Sequence, residues 1–419
     1  MYAKRIITTM FLVTALVITL PKGVFANGHD LESLKNTVEQ LKTQLDKVQI
    51  QLKAQEEKTA KKKDIRDLKQ KIEQSSIRPV EFEINDSIVH LAGYSSVTFA
   101  DNDGAGDRFN QVQFSPIFHY QYKDLMMLES ELEFDIGLDG STTVALEYLT
   151  LDLFLSDYLT VIAGKFLSPV GQFRQNLHPG WINKLPSAPP GFGHDGATPI
   201  SDVGLQLRGA LPPLGNVRTN YSFYVANGPE LEAITEDGEV ELEGIIAEGF
   251  TRDADGTRVY GGRIGVLPIP ELEIGISGVV GKTEVTVLDG AAFGDEPSRR
   301  YRVWGADFAW KYKGMGLRGE YVRSTIGEVT ASVAPAGAHW RSWYLQGAYQ
   351  FLPTKWEGVV RYTDFDSPHA SEDQKQWAAG VNYLFSSNVI AKFAYEFNEG
   401  RVGKSSNDDT ALLQMSFGF

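Results

Sequence analysis

The chain has 419 residues, a net charge of −14 and no cysteine, so disulfides and thiolate metal sites are excluded and sequence-independent nucleic-acid binding is disfavoured. A mean hydropathy of −0.21 is too polar for a bundle of membrane helices. It is compatible with membrane-crossing strands, which show only alternate side chains to lipid.

Residues 1–26 read as a secretory signal. Lys4 and Arg5 form a charged start, Ile6 to Leu20 is an apolar run of 15 residues, and Val24-Phe25-Ala26 offers a small-residue cleavage site. The run is shorter than the roughly 20 residues that a membrane-spanning helix needs. Cleavage after Ala26 would remove Lys4, Arg5 and Lys22 and leave a net charge of −17.

Residues 27–79 read as a periplasmic coiled coil and linker. Leu31, Leu34, Val38, Leu41, Leu45, Val48 and Leu52 recur at alternating steps of 3 and 4, a heptad seam flanked by charged and amide side chains. Three heptads make a marginal helix when isolated, so the seam implies partner helices. The competing reading is one amphipathic helix lying on its own barrel. Pro79 marks the end of this region.

Over residues 80–419 the period switches to two. Sixteen strands are predicted at 88–100, 111–122, 125–137, 143–155, 158–167, 202–211, 216–226, 258–267, 271–284, 300–313, 315–325, 339–351, 355–365, 374–385, 388–398 and 409–419. Each is about long enough to cross a bilayer at a tilt of roughly 45°. Short turns such as Lys123-Asp124, Ser156-Asp157 and Ser386-Ser387 alternate with longer segments such as 168–201, 227–257 and 285–299. That alternation predicts an all-β fold, a 16-stranded antiparallel transmembrane β-barrel preceded by an α-helical coiled coil. An even strand count puts both ends of the barrel on one side, with the coiled coil in the periplasm.

Within the strands the two faces differ. Met126, Leu128, Leu132, Phe134 and Ile136 share one face, and Glu129, Glu131, Glu133 and Asp135 share the other. Arg208, Arg218, Arg263, Arg318, Arg361 and Lys392 lie on the polar parity of their own strands. An Arg at the lipid midplane would cost roughly 2–4 kcal/mol, so these charges are expected to line a watery interior. Acidic and basic walls facing each other would set up a transverse field that biases ion passage. The competing reading is that these charges only satisfy one another.

With these features placed, the chain resembles the bacterial outer-membrane porins, and within them the coiled-coil-bearing relatives of the phosphate-selective porin O and P group. The resemblance rests on the N-terminal heptads, the strand plan, the segment Gly164-Lys165-Phe166-Leu167-Ser168-Pro169-Val170-Gly171 and the terminal Phe419. It implies a homotrimer in outer-membrane lipid, each subunit passing small hydrophilic solutes or ions through its own pore, with no enzymatic activity and no cofactor. No dense lysine cluster lines the predicted lumen, a departure from the phosphate-selective pattern.

Segment 168–201, rich in Gly, Pro and aromatic residues, is expected to fold inward and narrow the pore, bringing Arg174, Lys184 and Asp195 to the constriction. The alternative is an outer loop packed on a neighbouring subunit. Asp101 to Asp107 resembles a calcium loop without its distal Glu, so a solvated turn is expected there. No nucleophile, base and orienter fall together on any strand parity.

Overall fold

A computed structural model describes residues 82–84, 86–137, 139–194, 197–236, 238–369 and 371–419. The signal segment, the heptad seam from Leu31 to Leu52 and Asp195 lie outside the described residues.

Among the described residues, sixteen long strands form one sheet. They are β1 (Ser87–Asn102), β2 (Gly106–Tyr122), β3 (Met126–Ile136), β4 (Thr142–Ser156), β5 (Leu159–Leu167), β6 (Ser201–Leu214), β7 (Val217–Ala226) and β8 (Val259–Ile269). The second half comprises β9 (Leu272–Thr283), β10 (Arg299–Tyr312), β11 (Met315–Ile326), β12 (Ala338–Gln350), β13 (Trp356–Asp366), β14 (Gln374–Leu384), β15 (Val389–Gly400) and β16 (Thr410–Gly418). Each pairs antiparallel with its neighbour in sequence. The sheet closes where β1 pairs with β16, with Tyr94 opposite Gly418 and Thr98 opposite Gln414. Closure leaves no edge with unpaired N–H and C=O groups, the condition a sheet must meet to sit in hydrocarbon.

Side-chain parity separates the two faces of the wall. Leu91, Phe118, Leu132, Leu151, Leu205, Ile276, Leu345, Val360, Val381, Phe393 and Leu413 point outward and are exposed on the isolated chain. Two aromatic bands bound this apolar belt. Toward the long-loop end, Trp304 packs on Tyr321 at 4.5 Å between centroids, Trp343 on Tyr362 at 5.3 Å and Tyr362 on Trp377 at 4.8 Å. Toward the short-turn end, Trp310 stacks on Tyr312 and Trp356 meets Tyr383 at 4.9 Å. From Trp304 to Tyr312 along β10 is about 27 Å of strand, or roughly 20 Å of height once tilted, close to the apolar band of an outer-membrane barrel.

Two strands run beyond the ends predicted for them at 211 and 267. β6 continues through Pro212 and Pro213 to Leu214, and its pairing with β7 slips between Leu211 and Leu214. β8 likewise runs past Pro268, with a slip between Val266 and Ile269. At such slips the missing proline N–H leaves no gap in the ladder.

Segment 227–257, predicted as a loop, holds a hairpin. Glu230–Glu236 pairs antiparallel with Glu239–Ile246, and Val285–Leu288 joins alongside in parallel. Leu231, Ala233, Leu242 and Val285 are buried beneath it in a cluster that reaches Phe365. Its many glutamates hid the short apolar alternation in the sequence.

Candidate functional site

The inner wall carries the polar parity. Glu131 accepts a hydrogen bond from the Tyr94 hydroxyl at 2.7 Å and is buried. Glu129 accepts from Tyr148 at 3.0 Å and lies 3.5 Å from His119. Glu133 and Asp135 follow on the same face of β3 and are half-buried. On β4 Asp152 meets Arg208 of β6 at 3.4 Å. Arg218 is exposed near the turn end of β7.

On the facing side the polar residues meet segment 168–200 instead of solvent. The segment's backbone is anchored from its start. Glu320 of β11 accepts the amides of Gln172 at 2.9 Å and Phe173 at 3.3 Å. Ser277 of β9 accepts the Gly171 amide at 3.3 Å, and Asp307 of β10 accepts the Gln172 side-chain amide at 3.0 Å. Gly171 has a φ of +68°, and a side chain there would collide with the Glu320 carboxylate.

Beyond the π-helical turn Phe173–Leu177, the chain crosses the remaining strands. Lys392 of β15 donates to the Gly180 carbonyl. Lys184 pairs with Glu357 of β13 at 2.5 Å, while Asn382 of β14 donates to the Lys184 carbonyl at 2.9 Å. Leu185 is fully buried against Val359, Ala378 and Ala394. Gly380 makes the room: a Cβ there would stand 2.9 Å from the Leu185 methyl. Arg361 donates to the carbonyls of Ser187 at 3.0 Å and Ala188 at 3.3 Å, and Glu396 accepts the Ser187 hydroxyl. Gln414 of β16 reaches the Pro186 carbonyl at 3.4 Å. Ser342 and Ser324 donate to the carbonyls of Pro190 at 2.6 Å and Ala197 at 2.8 Å. Anchors therefore come from eight consecutive strands, β9 to β16.

Three cavities flank this arrangement. One of about 270 Å³ lies between the acidic strand and the segment, lined by Glu129, Glu131, Asp152, Arg208, Gln175 and His178. His178 approaches Glu131 at 3.8 Å. A second of about 720 Å³ opens toward the short turns beside Lys184, Lys311, Arg318, Glu271 and Glu273. The third, about 560 Å³, lies at the long-loop end beside Glu232, Glu243, Glu248, Glu372 and His194. Acidic groups thus dominate the long-loop end, while the short-turn end mixes three cations with two glutamates. At the acidic end His194 pairs with Glu248 at 2.7 Å. Burial raises the Glu248 carboxyl, but the His194 hydrogen bond and charge outweigh it and hold the group below its ordinary value.

The sequence-predicted residues therefore fall into distinct settings. Glu129, Glu133, Asp135, Arg208, Arg218 and Arg318 retain exposure toward the interior. Glu131, Arg263, Arg361 and Lys392 are buried. Arg263 is spent on Asp307 at 2.5 Å and Glu273 at 3.0 Å. Arg174 is buried in the π-helical turn, and Lys184 is held by Glu357. Sequence parity did not reveal Glu320, Ser342 or Asn382 as anchors, because contact with a segment over a hundred residues away leaves no local periodic trace. Lys311 was also missed, since it sits at a strand end where alternation fades.

Solved structures share this barrel. OmpF of Salmonella typhi in complex with daunomycin is 14% identical, covers 81% of this chain and 100% of its own, and superposes with a TM-score of 0.54. The fold is that of the bacterial outer-membrane porins. The outer-membrane channel DcaP of Acinetobacter baumannii is 12% identical, with 81% and 99% coverage and a TM-score of 0.53. An anion-selective porin of Comamonas acidovorans is 15% identical, with 80% and 100% coverage and a TM-score of 0.51. The family model for phosphate-selective porins O and P matches residues 244–419, that is, the strands from β8 onward with part of the segment before them. No curated protein matches the sequence. The likeness to these solved structures lies in the barrel fold, and the family model covers its second half.

Proposed function

We propose that the protein is a passive diffusion channel for small hydrophilic solutes or ions, narrowed by segment 168–200. The observation that carries this reading is the anchoring of that segment to one half of the inner wall. It fills part of the lumen and leaves solutes a path along the acidic face of β3 and past Arg208. Selectivity then arises from Glu129, Glu133 and Asp135 set against Arg208, Arg218 and Arg318, acting in a narrow, water-filled space where fields are poorly screened. The long-loop end faces the exterior and the short turns face the periplasm. The subunits assemble as homotrimers, with residues 27–79 as a periplasmic coiled coil after removal of residues 1–26.

A second reading is a channel selective for phosphate or carboxylate anions. It is favoured by the cavity at the short-turn end, where Lys184, Lys311 and Arg318 come together beside Glu271 and Glu273. Planar-bilayer recording separates the readings. Ohmic steps in triplets that do not saturate with phosphate support general diffusion. Conductance saturating with phosphate or a dicarboxylate but not chloride supports the selective channel. Ion-tight bilayers containing folded protein would overturn both.

A further inference from the structure

The outward face of β9 to β12 departs from the rest of the lipid-facing wall. Just beyond the band of Trp304, Tyr321 and Trp343, on the long-loop side, five cationic side chains share the outward parity: Lys282, Arg300, Arg302, Arg323 and Arg341. The register sets them against one another. Lys282 lies directly opposite Arg300, and Arg323 directly opposite Arg341. Arg302, opposite Val280 and Thr325, is diagonal to both Arg300's pair and Arg323. Directly opposed residues have Cβ atoms about 5 Å apart, and like charges so placed destabilise a sheet.

Arg341 alone has acidic partners, Asp366 and, at 3.9 Å, Asp364, both outward on β13. Among the described residues Lys282, Arg300, Arg302 and Arg323 form no ion pair. Lys282, Arg300 and Arg302 are exposed. Two like-charge pairs on adjoining strands, above an apolar belt and an aromatic band, are a repulsive arrangement until a multivalent anion lies across them. At this height on an outer-membrane barrel the neighbouring matter is lipid headgroup. Guanidinium groups bind phosphate oxygens in bidentate fashion, while Trp304 and Trp343 flank the position that the first acyl carbons would take.

We infer that Lys282, Arg300, Arg302 and Arg323 form a docking site for a phosphorylated glycolipid of the outer leaflet, its phosphates on the cations and its chains on the apolar wall below. The site rests on the proposed outward orientation of the long-loop end, but not on what the pore conducts. Binding is therefore measured on detergent-solubilised full-length protein, where neither orientation nor conductance enters. The probes are bisphosphorylated lipid A and the same lipid with both phosphates removed. The wild type should bind the phosphorylated form at least tenfold more tightly. The variant Lys282→Gln, Arg300→Gln, Arg302→Gln, Arg323→Gln should lose that preference. A control variant at the short-turn end, Lys123→Gln, Lys313→Gln, Lys355→Gln, should keep it. If the fourfold variant does not show the heat-modifiable mobility of a folded barrel, the double variant Arg302→Gln, Arg323→Gln replaces it, with a loss of several-fold expected. Equal affinity for the two lipids, or an undiminished preference in the folded variant, would overturn the inference. Loss of channel activity with lipid preference intact would instead count against the transport reading alone.

Discussion

The two halves of the inner wall obey the same alternation and use it differently. On β3 to β7, inward charges such as Glu133, Asp135, Arg208 and Arg218 keep contact with the interior space. On β9 to β16, Arg318 apart, many inward polar groups are taken up by segment 168–200, so that Arg361 and Lys392 are fully buried cations whose hydrogen bonds go to loop carbonyls and Gln side chains. The difference teaches that inward parity is necessary for lining a pore but does not suffice. What lies over a side chain decides whether it meets the interior space or holds the segment in place. An inward cation beneath a loop satisfies carbonyls that have no strand partner, a demand as strict in the lumen as in a protein core.

The largest effect that would break the comparison is on the anchored half. Arg361→Ala removes the donor to Ser187 and Ala188 and leaves Glu396 without its nearby cation, at 3.8 Å. Stability should fall by roughly 3 kcal/mol, the cost of stranding buried polar groups and a charge. Single-channel conductance should rise as the segment loosens. Urea unfolding and bilayer recording read the two quantities. Leu185→Ala acts on the same half through packing alone and should cost about 3 kcal/mol from the cavity it leaves.

On the open half, stability should hardly change and permeation should. Glu129→Gln, Glu133→Gln, Asp135→Asn together should shift the cation-to-anion permeability ratio toward anions by several-fold. Arg208→Gln should move it the other way by less, because Asp152 already offsets that charge. Reversal potentials across a salt gradient measure both, and an unmoved ratio would remove these residues from selectivity.

The smallest effect is at the rim. The Glu248 carboxyl sits below its ordinary value of 4.5 when paired with His194. Its contribution to holding the rim is complete above that value and is lost as the pH falls below it through the folded-state value. Limited proteolysis within 227–257 should therefore speed up on acidification below about pH 4.5, and Glu248→Gln should show the faster rate already at pH 7.

Strand positions were legible because a closed membrane barrel imposes period two on every strand, and all sixteen predicted strands overlap observed ones. Strand ends were less so: the strands predicted to stop at 211 and 267 run on through Pro212 and Pro268, each inside a register slip. The hairpin Glu230–Ile246 was hidden because its buried side, Leu231, Ala233 and Leu242, is brief and set among glutamates. At the site, parity placed Arg361 and Lys392 inward, but their burial depends on a segment whose path is decided by contacts distant in sequence. Gly171 and Gly380 were the local traces of that path, since each leaves space for a partner more than a hundred residues away.

The absence of native cysteine makes the central contrast directly measurable. Single cysteines at Glu133, on the open half, and at Thr363, buried beneath the segment beside Arg361, can be treated with a charged, membrane-impermeant thiol reagent during bilayer recording. Rapid modification and a stepwise drop in current are expected for Glu133→Cys, with Thr363→Cys unreactive until the segment is freed by Arg361→Ala. Equal reactivity at the two positions, or a current that responds only to Thr363→Cys, would contradict that contrast.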